Sequence, residues 1–331
     1  MPVPLDLGPP PWDKGRLTEA YFRNFTATRE AIKAHPGYVA HRDLESLGIS
    51  LAIFRDSARD LRNSISSFRD ASDAPQFWSR RERETLARSE LAVRRGVFSV
   101  AASALALVHH SRAVVGRFPV SGYDERKSEF AEWGIHRFVQ DLRNCILHSR
   151  PLVADWRASQ LFGEPAKVHF FLRRDVLLAW DGWSAHARKL IEASEYGIDV
   201  ESTFDEYEAR VVRFHDWLRG AIEELASPAL GEYREYERFL HSISSKCSWN
   251  LILAQIVIPK RLDLYTYLKD WMTDEELSQV RALQDRSQAQ VDKIIEIIDE
   301  FGACDDELRA VVYRVFGVGT PIAAAESDTP A

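Results

Sequence analysis

The chain has 331 residues and a formal net charge of −7, so the protein as a whole is not a basic nucleic-acid binder, and any contact with RNA has to come from a local patch. A hydrophobic content of 45% is sufficient for a substantial core in one large domain or two smaller ones. The three cysteines are far apart in sequence, which argues against a disulfide framework or a zinc site and favours a reducing cytoplasm.

The N-terminal segment shows no pattern of a targeting or membrane sequence. Residues 1–16 are rich in proline and glycine and lack the apolar run of a signal peptide, so we expect an irregular lead-in.

The longest apolar stretch, 96–108, is shorter than the ~20 residues that a membrane span needs. It is interpreted as a buried core helix, and the expected protein is cytoplasmic, without a membrane partner.

Apolar residues recur at helical spacing along most of the chain, which predicts a mainly α protein. The first long helix is expected from about residue 43 to 69, and a second helical region from 76 to about 115. A third helix is expected from about 124 to 149, after a turn at Ser121-Gly122. The first helix carries one apolar stripe, which consists of Leu47, Leu51, Phe54, Ala58, Leu61, Ile65 and Phe68.

After the third helix the pattern changes to short, aromatic-rich runs of alternating residues. Two runs, 152–161 and 167–173, are separated by Phe162-Gly163-Glu164-Pro165, which contains the glycine and proline of a turn. This pattern predicts a β-hairpin at about 152–173. The hairpin would border any site at the end of the third helix.

Helices are expected again from Asp175 onward. Asp199 is typical of an N-cap, and the helix that it starts is expected to end at Ser227-Pro228. Thr273 begins a capping box for a long helix that Gly302 would close.

The sequence suggests a domain division after residue 227. We expect one helical domain over 17–227, a C-terminal helical region over 231–317 and a disordered tail over 318–331. The C-terminal region carries no catalytic pattern, and the sequence leaves its role open.

The third helix combines an apolar face with a polar face that carries Arg143, Asn144 and His148. At about 100° per residue, Asn144 and His148 are neighbours one turn apart, and Arg143 lies at the flank. Pro151 disfavours further helix, so His148 is expected in the last turn. A histidine can move a proton near neutral pH and an arginine holds a permanent charge, a combination that suits a phosphodiester. The apolar face consists of Ile135, Phe138, Val139, Leu142 and Ile146.

The string Arg143-Asn144-Cys145-Ile146-Leu147-His148 resembles the Arg-polar-x-x-x-His motif of the HEPN superfamily (higher eukaryotes and prokaryotes nucleotide-binding). The resemblance covers about residues 40–225. It implies a HEPN-like helical bundle, here with one short β-hairpin after the motif helix and with added C-terminal helices. It also implies a homodimeric, metal-independent endoribonuclease that acts on RNA without a cofactor. Such a protein could serve as a toxin or in anti-phage defence, with an antitoxin or another protein as partner.

The resemblance assigns a role to each polar residue of the motif. His148 would take the proton of the ribose 2′-OH or give one to the leaving 5′-oxygen. Arg143 would neutralise charge on the phosphate, and Asn144 would orient His148 or bind the phosphate. Asp141 and Gln140 lie on the same face as supporting residues, and Asp141 beside the imidazole would raise its pKa. One histidine cannot easily serve as both acid and base, so a two-fold dimer would supply the second.

Two other segments partly match the motif. Arg210 and His215 have the same spacing, without a polar residue after the arginine. Arg62-Asn63 repeats the start of the motif but is followed by Ser67 where the histidine would be. The polar face, the helix end and the following proline favour the segment 143–148 over both.

Two other interpretations of the same residues stay open. In the first, the protein is a non-catalytic helical module that binds a protein partner or a nucleotide through this polar face, which its acidic balance favours. In the second, the bundle is purely structural: His148 caps its own helix, and Arg143 forms a surface ion pair. The direction of these side chains distinguishes the interpretations.

Overall fold

The computed structural model describes residues 5–148, 154–159 and 167–319. Over these residues the chain is mainly α-helical, with one small antiparallel sheet of three strands. The predicted disordered tail, apart from its first two residues, lies outside the described residues, as does the loop of the predicted hairpin.

The helices and strands fall into three consecutive groups along the chain. The first group is α1 (Lys14–Arg23), α2 (Phe25–Ala31), α3 (Gly37–Ser72), α4 (Arg83–Val115), α5 (Tyr123–Glu132) and α6 (Gly134–His148). The second group is β1 (Ala154–Ser159), β2 (Lys167–Arg173), α7 (Arg174–Leu178), α8 (Ala185–Ala193), β3 (Gly197–Asp199) and α9 (Val200–Ile252). The third group is a π-helix (Leu253–Val257), α10 (Ile258–Lys260), a 3₁₀ helix (Leu264–Asp270), α11 (Asp274–Arg281), α12 (Gln288–Ile298) and α13 (Asp306–Phe316). Shorter 3₁₀ helices lie at Ile32–Ala34, Pro75–Trp78 and Arg80–Glu82.

The chain divides into two units. One unit consists of residues 39–230, and the other combines residues 1–38 with residues 231–331. The sequence suggested that residues 17–38 belong with the helices that follow them. The structure instead groups them with the C-terminal part of the chain.

The N-terminal helices belong to this second unit because their apolar side chains pack on α9. Leu17 and Ile32 are buried in a cluster with Tyr233. Trp12 is buried in the same cluster, and its backbone N–H donates to the Tyr236 hydroxyl at 2.9 Å. The described part of the expected irregular lead-in is therefore anchored, and α1 already begins within it.

The main core of the unit 39–230 is formed by α3, α4, α6, α8, α9 and the sheet. The predicted apolar stripe of α3 is confirmed, since all seven of its residues are buried. Phe68 of this stripe meets Phe170 of β2 with ring centroids 4.8 Å apart. At Gly96 of α4, an added Cβ would lie 3.0 Å from Leu61 Cδ1 and 3.1 Å from Leu61 Cα. The absence of a side chain at Gly96 therefore allows α3 and α4 to approach closely.

The stretch Arg80–Val115, which contains α4, is the one described helical stretch that is long and apolar enough to cross a membrane by composition. Many of its apolar side chains are buried in the core, as the sequence predicted for 96–108. These residues are Val93, Val97, Val100, Ala101, Ala104 and Leu107. Leu91 and Phe98 are exposed on the same helix.

The single helix expected from about 124 to 149 is two helices, α5 and α6, separated by Trp133. Trp133 has an extended backbone, and its ring stacks on Tyr207 with centroids 5.7 Å apart. Gly134 then begins α6 against α8, where an added Cβ would lie 3.3 Å from the His186 carbonyl oxygen. Tertiary contacts therefore set this break, which helical periodicity does not reveal.

The predicted hairpin is confirmed by the antiparallel pairing of β1 and β2, which places Ala154 opposite Leu172. A third strand, β3, adds to the other side of β2 with Ile198 opposite Leu172. The sequence did not predict β3, which is only three residues long. Gly197 is required there, because its φ is 149° and an added Cβ would lie 2.0 Å from the Leu172 carbonyl oxygen.

α9 continues through Pro228, where the sequence predicted a helix end. A proline inside a helix removes a backbone hydrogen bond and costs roughly 3 kcal/mol. Ile222 before it, and Leu230 and Tyr233 after it, are almost completely buried, and this burial offsets the cost. The predicted N-cap of the same helix is confirmed, since Asp199 Oδ1 accepts from the Ser202 backbone N–H at 2.8 Å.

The C-terminal helices pack around a core of their own. The predicted capping box is confirmed, with Thr273 and Glu276 bonded reciprocally at the start of α11. The long helix expected to follow is instead two helices, α11 and α12. Arg286 lies between them with a left-handed φ of 55°, which a continuous helix does not allow.

Candidate functional site

α6 carries the predicted site residues, and its apolar face fixes how the helix is turned against its neighbours. Phe138, Val139 and Leu142 are completely buried, and the helix contacts α4, α5 and α8. Arg143 and Asn144 are half-buried. The structure describes α6 from Gly134 to His148.

Arg143 and Asn144 lie side by side, with Arg143 Nη1 donating to Asn144 Oδ1 at 3.2 Å. Within the described ranges, no carboxylate forms an ion pair with Arg143. Its guanidinium is therefore held by a neutral amide, and no described carboxylate offsets its charge. The side chain of His148 lies outside the described residues, so its position relative to Arg143 stays a prediction.

The spacing of the two motif residues limits how they can act together. Five residues correspond to a turn of about 500° around the helix axis, which leaves Arg143 and His148 about 140° apart. They are also about 7.5 Å apart along the axis. On an ideal helix, therefore, the two positions lie on different sides of the axis.

Asp141 has a partner in the neighbouring helix. Its Oδ2 accepts from the Ser184 backbone N–H at 2.9 Å, at the residue that precedes α8. A carboxylate near the first turn of a helix is stabilising, since it faces the positive end of the helix dipole. Asp141 therefore positions α8 on α6, and its predicted pairing with His148 stays a prediction.

Gln140 likewise forms its hydrogen bond with a residue outside the motif. Its Nε2 lies 2.8 Å from Nε2 of His136, one turn earlier in α6. His136 is 8% exposed, and its Nδ1 lies 3.2 Å from the Tyr207 hydroxyl. Burial lowers the pKa of His136 to about 4, and the charges of Arg137 and Arg112 contribute to this lowering. The histidine is thus neutral at physiological pH.

The two other motif-like segments differ from the first in their surroundings. Arg62 forms ion pairs with Glu208 and, at 3.1 Å, with Asp205. The guanidinium of Arg210 lies 4.6 Å from the Trp133 ring centroid and 3.9 Å from Glu129. Both charges are offset by carboxylates, in contrast to that of Arg143.

His215, the histidine of the second segment, is 5% exposed and bonded within the core. Its Nδ1 donates to the Val211 carbonyl at 2.8 Å, so its Nε2 is an acceptor, 2.9 Å from Ser111 Oγ. Ser111 Oγ also contacts the Leu107 carbonyl at 2.7 Å. Burial lowers the pKa of His215. The Ser111–His215 contact is thus a buried hydrogen bond between helices.

These buried polar groups surround a cavity of about 100 Å³ that the sequence did not predict. The cavity lies between α4, α5, α6 and α9 within the unit 39–230. No acidic residue is among those that line it. They are Ala104, Leu107, Val108, Ser111, Arg112, Tyr123, Lys127, Phe130, Ala131, His136, Arg137, Tyr207, Val211, Phe214 and His215.

Among the residues that the structure describes, no three His, Cys, Asp or Glu side chains are grouped so that they could hold a metal ion. Cys145 faces the core, and burial raises the pKa of its thiol. Comparison of the chain with family models, curated proteins and solved structures finds no match. A function for the protein therefore has to be inferred from the geometry of these residues.

Proposed function

We propose that the protein is a metal-independent endoribonuclease of the HEPN type, in which Arg143 and His148 act on the scissile phosphate. The observation that supports this assignment is the state of Arg143. Of the three motif-like arginines, it is the one whose charge no described carboxylate offsets. An anionic substrate can bind such a guanidinium without first displacing an internal partner.

The proposed reaction uses a nucleophile within the substrate. The ribose 2′-oxygen attacks the adjacent phosphorus, and the bond to the 5′-oxygen of the next nucleotide breaks, which leaves a 2′,3′-cyclic phosphate and a 5′-hydroxyl. His148 accepts the proton of the 2′-OH or donates a proton to the leaving 5′-oxygen. Arg143 neutralises the charge on the non-bridging oxygens, and Asn144 holds the guanidinium in place through its 3.2 Å hydrogen bond.

The active form in this proposal is a homodimer with composite sites. The angle of about 140° between the two motif residues favours pairing Arg143 of one copy with His148 of the other. In each composite site His148 handles one of the two proton transfers, and water handles the other. The resemblance to the HEPN superfamily, and not the activity itself, is the basis for proposing a toxin or defence function.

The first experiment is incubation of the full-length protein with total RNA in the presence of EDTA. Wild type should cleave RNA to products with 2′,3′-cyclic phosphate ends, and Arg143→Ala and His148→Ala should each lower the rate at least ~100-fold. Arg62→Ala is the matched control, because Arg62 also precedes an asparagine but is neutralised by carboxylates. It should retain the wild-type rate. Cleavage that survives both motif substitutions would contradict the proposed site. A folded wild type that cleaves no RNA would contradict the proposal and favour a docking function.

A mixing experiment tests whether the site is composite. Arg143→Ala and His148→Ala proteins are combined, unfolded, refolded together and assayed. A heterodimer of the two variants contains one intact Arg143–His148 site and one site that lacks both residues. Half of the dimers in a random mixture are heterodimers with one site each, so about a quarter of the wild-type activity should return. A mixture as inactive as either variant would show that both residues act within one chain.

A further inference from the structure

The cavity between α4, α5, α6 and α9 separates positive charge from apolar surface. Arg112 and Lys127 are exposed, and Arg137 is half-buried, so the cations lie at its mouth. The interior is lined by apolar and aromatic side chains, with Leu107 and Val211 almost completely buried and Phe130 half-buried. A site of this form suits a ligand with an anionic head and an apolar body.

Arg112 is available to bind such a head group. Its guanidinium donates no hydrogen bond to any residue of the described chain and forms no ion pair there. Its positive charge contributes to the lowered pKa of His136 and opposes the raised pKa of Tyr123, and both residues line the cavity. The positive end of this arginine is therefore close to the cavity and without an anion.

The polar groups inside the cavity already have partners, and they are neutral. His136 is bonded to Tyr207, and His215 is bonded to Ser111. A charge deep in the cavity would lose its hydration beside these neutral groups, which is costly. The anionic part of a ligand is therefore expected at the mouth, where the cations are.

The volume limits the size of the apolar body. A cavity of about 150 Å³ holds benzene, and a water molecule occupies about 30 Å³ of liquid. The cavity here is about 100 Å³. It therefore has space for about three or four methyl or methylene groups.

We propose that this cavity binds a short-chain aliphatic carboxylate of about four carbon atoms. Its carboxylate lies between Arg112 and Arg137 at the mouth, and its alkyl chain packs against Leu107, Val211 and Phe130. A carboxylate matches the forked donors of an arginine and needs only one negative charge to be neutralised. The site is distinct from Arg143 and His148, and its occupation does not depend on ribonuclease activity.

The test is a titration of the full-length protein with butyrate, followed by ligand-detected NMR and calorimetry. Butyrate should bind with a stoichiometry of one per chain. Butyramide, which has the same shape without the charge, should bind at least ~10-fold more weakly, and so should inorganic phosphate, which lacks the alkyl chain. Benzoate should also bind more weakly, because its ring exceeds the cavity.

Two variants locate the site. Arg112→Gln should weaken butyrate binding ~10-fold, whereas Arg213→Gln, an arginine of α9 outside the lining, should leave it unchanged. Ala104→Leu should fill the cavity and abolish binding. A circular-dichroism melt of each variant shows whether it is folded. Butyrate binding that is absent in wild type, or unchanged in both folded variants, would overturn the proposal, as would equal binding of butyramide.

Discussion

His136 gives a direct test of the buried polar network, because its protonation is coupled to folding. The pKa of this histidine is lowered from 6.5 to about 4, first by burial and then by Arg137 and Arg112. Between these two pH values the unfolded chain binds a proton that the folded chain does not. The free energy of unfolding therefore falls as the pH drops below about 6.5 and stops falling near pH 4, whereas above 6.5 the histidine contributes no pH dependence.

The size of this effect follows from the lowered pKa. Each pKa unit corresponds to about 1.4 kcal/mol, so the full difference is about 3 kcal/mol, of which about 2.5 kcal/mol is lost between pH 7 and pH 4.5. His136→Gln removes the titration and keeps an amide that can bond Gln140. The variant is expected to be less stable than wild type at pH 7. The difference in the free energy of unfolding between the two proteins should shrink by about 2.5 kcal/mol at pH 4.5, where the wild type has lost the contribution of His136. This difference is called the gap below.

The assay is urea unfolding, followed by circular dichroism, of wild type and variant at pH 7.0 and 4.5. Other groups that titrate, including His215, are present in both proteins and cancel in the comparison. His109→Gln, on the exposed part of α4, is the matched control and should leave the gap constant. A gap between wild type and His136→Gln that is equal at both pH values would refute this coupling and would mean that His136 is accessible to protons in the folded protein.

Two further substitutions test the packing around α6 and α4. Gly96→Ala should destabilise the protein by about 1–3 kcal/mol, because the new methyl group would overlap Leu61 Cδ1 and Cα. Thermal unfolding measures this effect. An unchanged melting temperature would show that α3 and α4 can separate without cost. Asp141→Ala should lower the free energy of unfolding by about 1 kcal/mol, because the hydrogen bond to the Ser184 N–H is lost. RNA cleavage per folded molecule should be retained. A ~100-fold loss of cleavage at unchanged stability would instead assign Asp141 to catalysis.

The parts of the fold that the sequence predicted correctly depend on local patterns. The apolar stripe of α3, the alternation within β1 and β2, and the caps at Asp199 and Thr273 each depend on spacings of two to four residues in sequence. The features that it missed depend on contacts between distant residues. The break at Trp133 is set by the ring of Tyr207, and α9 passes through Pro228 because buried side chains on both sides offset the lost hydrogen bond.

The candidate site divides in the same way. The placement of Arg143 and Asn144 on α6 follows from the 3.6-residue period. The cavity could not be predicted, because its buried polar pairs join residues far apart in sequence. His136 and Tyr207 are 71 residues apart, and Ser111 and His215 are 104 residues apart. Taken alone, each of these residues is of a type that also occurs at ordinary core positions.

The comparison of the three motif-like arginines shows what the structure adds to a short motif. Spacing alone does not distinguish Arg143 from Arg210, and the following asparagine does not distinguish it from Arg62. Their surroundings do, since a guanidinium that already binds carboxylates would have to lose those partners before it could bind a phosphate. On a chain with a net charge of −7, an arginine without a carboxylate partner is a local position that favours an anion. The charge of Arg143, which no described carboxylate offsets, is the physical reason, more than the sequence motif, to expect that Arg143 binds a phosphate.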